Sequence, residues 1–287
     1  MYQDRSRRPA YRSSLPRQAT GGQKQLPWRG ALVVIICLAV LGVLLWLGTI
    51  VVHRGHNQGA KTTSSRAAGR SPQATAGAPA GFNKQQYSVD QATSLWVVVN
   101  KKRALNPLTY KPANLVVPNI PLRSNSTGDE KYVSGVMAPA LETLVNAAAQ
   151  QSVHLNLQSG YRSYALQQQL FNGYVQQQGQ EAAEQSSAHP GHSEHQTGLA
   201  ADLGGVSQPA CNVAACFATT PEGMWLAANA YKYGFILRYP ADKTAVTGYE
   251  YEPWHIRYVG TALSTEMHSE GVETLEEFFG LGAAPTY

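Results

Sequence analysis

An unbroken apolar run, ALVVIICLAVLGVLLWLGTIVV over residues 31–52, constrains this 287-residue chain more than any other feature. Its 22 positions hold no charged side chain, and crossing the hydrocarbon core of a bilayer takes about 20 residues of helix. A cleaved leader has a shorter apolar stretch, about 7–15 residues, and ends in a small-x-small exit. Cys37 follows Ile35 and Ile36, so the small residue that precedes a lipoprotein cysteine is absent. The run therefore predicts one transmembrane helix.

Charge gives the orientation. Residues 1–29 carry seven Arg and Lys against Asp4, and residues 53–82 carry Arg54, Lys61, Arg66 and Arg70 with no acid. Of the overall net charge of +5, residues 83–287 thus hold −5. The more basic flank belongs in the cytoplasm, which makes residues 1–30 a cytoplasmic basic tail and puts the C-terminal bulk outside. Because the high pI sits in the flanks, no nucleic-acid partner is expected. Residues 53–82 are rich in Gly, Ala, Ser, Thr and Gln without apolar periodicity, a composition that cannot offset chain entropy by burial. They read as a flexible linker spanning on the order of 30 Å.

Residues 83–287 have a single-domain length. Ser94–Asn100, Val153–Gln158, Leu199–Leu203, Phe235–Tyr239 and Trp254–Val259 read as strands. Helices are expected from Pro139, over Tyr164–Gln178, from Thr220 and Pro221 to about Gly234, and near the C-terminus. Strands and helices mix without a repeating βαβ period, so the expected class is α+β, a small central antiparallel sheet flanked by helices. Cys211 and Cys216 lie in a small-residue loop on the exported side, where a disulfide is expected.

The segment GHSEHQTGLAADL, residues 191–203, concentrates two histidines and two acids. His195 and Asp202 flank a glycine-containing connection into a strand, and a catalytic metal needs a third protein ligand from elsewhere. Glu250–His255 offers one; along a strand His255 and Arg257 share a face, with Trp254 and Ile256 on the other. Glu252, ahead of Pro253, can curl back toward the same metal as a base. His154, His189, His192 and His268 read as ordinary polar residues, though His189 and His192 crowd the site and could line its mouth.

Three blocks, SGYRSYALQ (159–167), SEHQTGLAAD (193–202) and EPWHIRY (252–258), resemble the hallmark motifs of VanY-type D-alanyl-D-alanine carboxypeptidases. These are LAS zinc metallopeptidases, a group that also includes hedgehog-like domains. The resemblance covers roughly residues 85–280. It implies His195, Asp202 and His255 as ligands of Zn2+, Glu252 as general base and Arg162 as a catalytic cation. It further implies that Gln167 and Ser193 help hold the terminal carboxylate, with Tyr239 steadying the oxyanion and Trp254 packing beneath the site. The resemblance does not reach the anchor or the linker; with those read from composition, the expected protein is a monomer in the bacterial cell membrane, single-pass, with its catalytic domain extracytoplasmic. Its partners would be peptidoglycan stem peptides or their precursors, trimmed of the terminal D-alanine. Alternatives are an L,D-carboxypeptidase acting on tetrapeptide stems and a non-catalytic hedgehog-like zinc domain that binds cell-wall fragments. A serine-type D,D-peptidase needs Ser-x-x-Lys, and no lysine has a serine three positions before it.

Overall fold

The computed structural model describes residues 81–287. The tail, the apolar span and nearly all of the linker lie outside the described residues, among which no helix is long and apolar enough to cross a membrane. Phe82, assigned to the linker from composition, already belongs to the folded domain. Its ring stacks on Trp96 at 5.4 Å and meets Phe278 edge-on at 5.7 Å.

Two short strands, β1 (Leu115–Val116) and β2 (Val133–Ser134), pair antiparallel ahead of helix α1 (Ala138–Ala149). Pro139 sits in the first turn of α1, where its missing N–H costs nothing. Then come β3 (Leu155–Ser159), α2 (Tyr164–Gln178), α3 (Gln180–Ser186) and β4 (Ala200–Gly205). Ser163 caps α2 by accepting from the Leu166 N–H, which fixes the chain just after Arg162. Helix α4 (Pro221–Asn229) follows, capped by the Thr220 hydroxyl on the Gly223 N–H, and passes into a 3-10 turn ending at Gly234. The remainder is β5 (Phe235–Leu237), α5 (Thr244–Thr247), β6 (His255–Tyr258), α6 (Thr261–Glu270) and α7 (Leu275–Phe279).

The main sheet has the order β3-β4-β6-β5 and is antiparallel throughout, as expected. On one face Leu155, Leu157, Ala201, Leu203 and Ile256 join Leu141, Leu144 and Val145 of α1 in the principal core. Fully burying each such leucine contributes about 1.5–3 kcal/mol. The opposite face carries Asp202, His255 and Arg257.

Ser94–Asn100 does not join the sheet, which corrects the strand expected there. The segment is buried, with Val97, Val98 and Val99 each no more than 2% exposed, but arginine side chains take its carbonyls. Arg257 Nη2 donates to Leu95 O (3.0 Å) and Val97 O (2.8 Å), Arg103 Nε to Val98 O (3.2 Å) and Arg238 Nη2 to Val99 O (3.5 Å). Hydrophobic patterning reported the burial correctly; guanidinium groups stand where a neighbouring strand was expected.

Candidate metal centre and catalytic cavity

Strand register brings the first two groups together. Asp202 of β4 lies directly opposite His255 of β6, and Ala200 opposite Arg257, so Asp202, His255 and Arg257 share one face of the sheet. The register of β3 against β4 shifts between Leu157, opposite Leu203, and Ser159, opposite Asp202. This bulge re-aims Ser159 from the core face to the site face, a recurrent use of bulges beside active sites. Ser159 Oγ there accepts from Arg162 Nη2 at 3.3 Å.

His195 arrives on a 3-10 turn, Glu194–Thr197, that ends at Gly198 in the left-handed conformation (φ 67°). Its Nδ1 lies 2.7 Å from Gly160 O, so Nδ1 carries the proton and Nε2 turns a lone pair toward Asp202 Oδ2, 3.3 Å away. Only glycine fits at 160, because a Cβ there would meet Tyr132 O at 2.2 Å and Glu130 O at 3.1 Å. His255 Nδ1 lies 3.1 Å from Asp202 Oδ1 and 3.7 Å from Glu252 Oε2. One ligand-type atom from each of His195, Asp202 and His255 falls within 4.8 Å of the others, and all three residues are buried.

The electrostatics suit a cation. Burial holds the His195 imidazolium down, reinforced by Arg162 and His255 against the pull of Asp202, so its ring is neutral, as a ligand must be. Burial opposes charge on His255 as well, but the carboxylates of Asp202 and Glu194 on either side of its ring push its pKa up to about 9. Burial would raise Asp202, yet both histidines hold its carboxyl well below the usual range. Glu252 goes the other way. Burial, with Asp202 close by, pushes its pKa up to about 7 against the pull of His255, the range in which a carboxylate can both take and return a proton at neutral pH.

The donor set of two imidazole nitrogens and one carboxylate oxygen fits zinc and leaves a further coordination position. A second layer supports it. Glu194 Oε2 and His255 Nε2 are buried, 3.6 Å apart and without hydrogen-bond partners, the carboxylate–histidine relation that orients metal-binding imidazoles. Glu194 Oε1 accepts from Arg238 Nε and Arg257 Nη1, both at 2.8 Å. Arg238 also forks onto Glu276 at 2.6 and 2.9 Å. Glu194, Arg238, Arg257 and Glu276 make a buried, charge-balanced quartet.

A cavity of about 130 Å³ opens on this cluster, its wall including Arg162, Ser193, Tyr239, Glu252 and Trp254. Arg162 Nη1 donates to Gln167 Oε1 at 2.9 Å, and its Nη2 lies 3.9 Å from Asp202 Oδ2. Ser193 makes no capping hydrogen bond with its side chain, which leaves the hydroxyl for the cavity. The Tyr239 ring lies 4.9 Å from that of His255, and burial with Glu194 nearby keeps its phenol protonated. Trp254 both lines the cavity and packs on the principal core.

Gln167 stands elsewhere than the sequence suggested. It is fully buried and spends its amide on Arg162, Ser187 Oγ (3.2 Å) and Ala188 O (2.7 Å), so it positions Arg162 and does not reach the cavity wall. His189 and His192 also stay off that wall. His189 stacks on Tyr287 at 3.6 Å, and His192 Nδ1 bonds Asn100 O at 2.8 Å. Sequence reasoning missed Glu194 and Arg238. Glu194 stands beside His195 in the SEH block, and the alternation that put Arg257 on the His255 face was the one available signal for a buried counter-charge.

Comparison with known proteins agrees with this geometry. The Bacillus subtilis (strain 168) protein YodJ, assigned by name to the carboxypeptidases, is 40% identical over 192 residues, 67% of this chain and 69% of that protein. The structure of the LdcB LD-carboxypeptidase superposes with a TM-score of 0.62 at 40% identity, covering 66% of this chain and 87% of that one. A vancomycin-resistance D,D-pentapeptidase VanY mutant, solved in complex with Zn(II), gives a TM-score of 0.52 at 31% identity over 66% of this chain and 99% of that one. The VanY D-alanyl-D-alanine carboxypeptidase profile matches residues 130–261, and the chain belongs to this family.

Proposed function

We propose that the protein removes the C-terminal D-alanine from peptidoglycan stem peptides, with His195, Asp202 and His255 holding Zn2+. The observation that carries this is the convergence of those three side chains within 4.8 Å, with Glu252 and Arg162 on the same cavity wall. When bound, the ion supplies Lewis-acid chemistry, polarising the scissile carbonyl and lowering the pKa of water to about 7. Glu252 accepts a proton from the attacking water as the new C–O bond forms. It returns that proton to the amine as the C–N bond breaks. Arg162, held by Gln167 and Ser159, presents a fixed cation to the substrate's carboxylate or to the developing oxyanion. Ser193 contributes a hydroxyl to the carboxylate, and Tyr239 steadies the oxyanion as a protonated donor. A cavity of about 130 Å³ is far below the roughly 300–1,000 Å³ of sites for drug-sized ligands, and suits a single small terminal residue.

L,D-carboxypeptidase action on tetrapeptide stems is the second reading, favoured by the greater likeness to LdcB than to VanY. A non-catalytic zinc domain is disfavoured, since a structural ion has no use for Glu252 beside an open position. The apolar run and charge asymmetry of residues 1–82 support a single-pass membrane anchor with the domain acting outside the cytoplasm. Mass spectrometry of penta- and tetrapeptide muropeptides incubated with the zinc-loaded full chain tests the reading. Loss of one alanine from the pentapeptide is expected, abolished by chelation and restored by zinc. Trimming of the tetrapeptide alone would favour the L,D reading, and no cleavage of either would overturn both.

A further inference from the structure

Val213 lies at φ 56°, a left-handed conformation that β-branched residues rarely adopt. It is the second of four residues closed into a loop by the Cys211–Cys216 disulfide. Asn212 clasps the end of β4, accepting from Gly205 N at 2.8 Å and donating to Gly205 O at 3.1 Å. Glu222 accepts from the N–H groups of Val206 and Ser207, and fully buried Phe217 anchors the far side. Such over-determined strain persists where the surroundings enforce it, commonly at ligand clamps. No core packing repays it here, because Val213 is 46% exposed. Val213 nonetheless lines the catalytic cavity, whose other walls are mostly polar or aromatic.

We propose that Val213 is a specificity-determining residue, the aliphatic contact at the mouth of the cavity for a methyl or methylene group of the peptide beside the scissile bond. The disulfide-closed loop is the device that holds it there. This rests on the carboxypeptidase reading above. The test is steady-state hydrolysis of a D-alanine-terminated stem pentapeptide, and of the corresponding tetrapeptide, by the zinc-loaded full chain. Val213→Gly raises KM at least about tenfold, with a much smaller change in kcat, while Tm holds or rises because glycine takes the left-handed conformation freely. Val213→Asn, which also tolerates that conformation, raises KM in the same way. Val206→Ala, at an exposed valine of the same excursion that is not on the cavity wall, leaves KM unchanged. An active wild type whose KM is unaltered in both Val213 variants overturns this inference alone, as does a fall in Tm with kcat and KM both impaired. A wild type that cleaves neither peptide overturns the functional reading and this inference with it.

Discussion

The two faces of the central sheet are built from alternate residues of the same strands and hold together by different physics. Ala201, Leu203 and Ile256 bury against α1 in a core with no charged group. Asp202, His255 and Arg257, one residue away in each case, are also buried but cohere through ion pairs and backbone carbonyls. Apolar burial is non-directional and tolerates repacking. A buried charge network is directional, and each member is costly to orphan. The first face buries the apolar surface, and the second holds the side chains of His195, Asp202 and His255 in one cluster.

The largest expected effect separates chemistry from cohesion altogether. Glu252→Gln keeps the size of the side chain and removes its basicity, so turnover falls by roughly 10²–10⁴-fold with zinc content and Tm near wild type. Parallel rates and metal analysis check this, and near-normal turnover would remove Glu252 from the reaction. Next, matched truncations on the two faces should diverge in kind. Leu203→Ala opens a cavity and costs about 2–5 kcal/mol, leaving zinc affinity in the folded protein intact. Glu194→Ala strands Arg257 and costs about 3–5 kcal/mol, and zinc affinity falls as well because His255 loses its partner carboxylate. Denaturant unfolding together with zinc titration reads both, and equal zinc affinity in the two variants would dissolve the distinction.

The same contrast explains how much was legible in the sequence. Period-two alternation announced the apolar face and put His255 with Arg257, so the sheet followed from strand logic, while the grouping of His195, Asp202 and His255 as ligands followed from the resemblance of their motifs to a known family. What stayed hidden depended on partners distant in sequence. Val97–Val99 read as a strand because burial is written in composition, whereas the identity of the hydrogen-bond donor, Arg257 from 160 residues away, is not. Gln167 was placed on the substrate for the same reason. A motif records that a polar residue is required, and only the fold reveals that its amide faces Arg162. The bulge at Leu157–Ser159 has no strong sequence signature, since one extra residue in a strand leaves composition unchanged.

A smaller effect probes how the faces are joined at Gly160, whose carbonyl orients His195. Gly160→Ala drives a Cβ into Tyr132 O, and because both neighbours are backbone the strand end must shift. Zinc affinity should fall about 10–100-fold, seen by competition with a chelator, while Leu155 and Leu157 stay packed and the displaced strand end costs about 1–3 kcal/mol of stability. A large loss of Tm at unchanged affinity would assign Gly160 to cohesion and not to the metal site.

The smallest expected effect is a pH dependence confined to the charged face. Burial would raise the Glu276 carboxyl above its ordinary value of 4.5, but Arg238 and Asn100 hold it below. A carboxyl lowered in the folded state binds fewer protons there than when unfolded, so its contribution is fully present above the ordinary value and drains away as pH falls through and below it. Glu276→Gln removes that contribution and leaves the apolar face untouched. The unfolding free energy of wild type should therefore exceed that of Glu276→Gln most at neutral pH, with the gap narrowing on acidification below about pH 4. Denaturant titrations at pH 7 and pH 3.5 measure it directly. A gap that widens in acid would mean that Glu276 is held protonated, and that Arg238 draws its compensation from Glu194 alone.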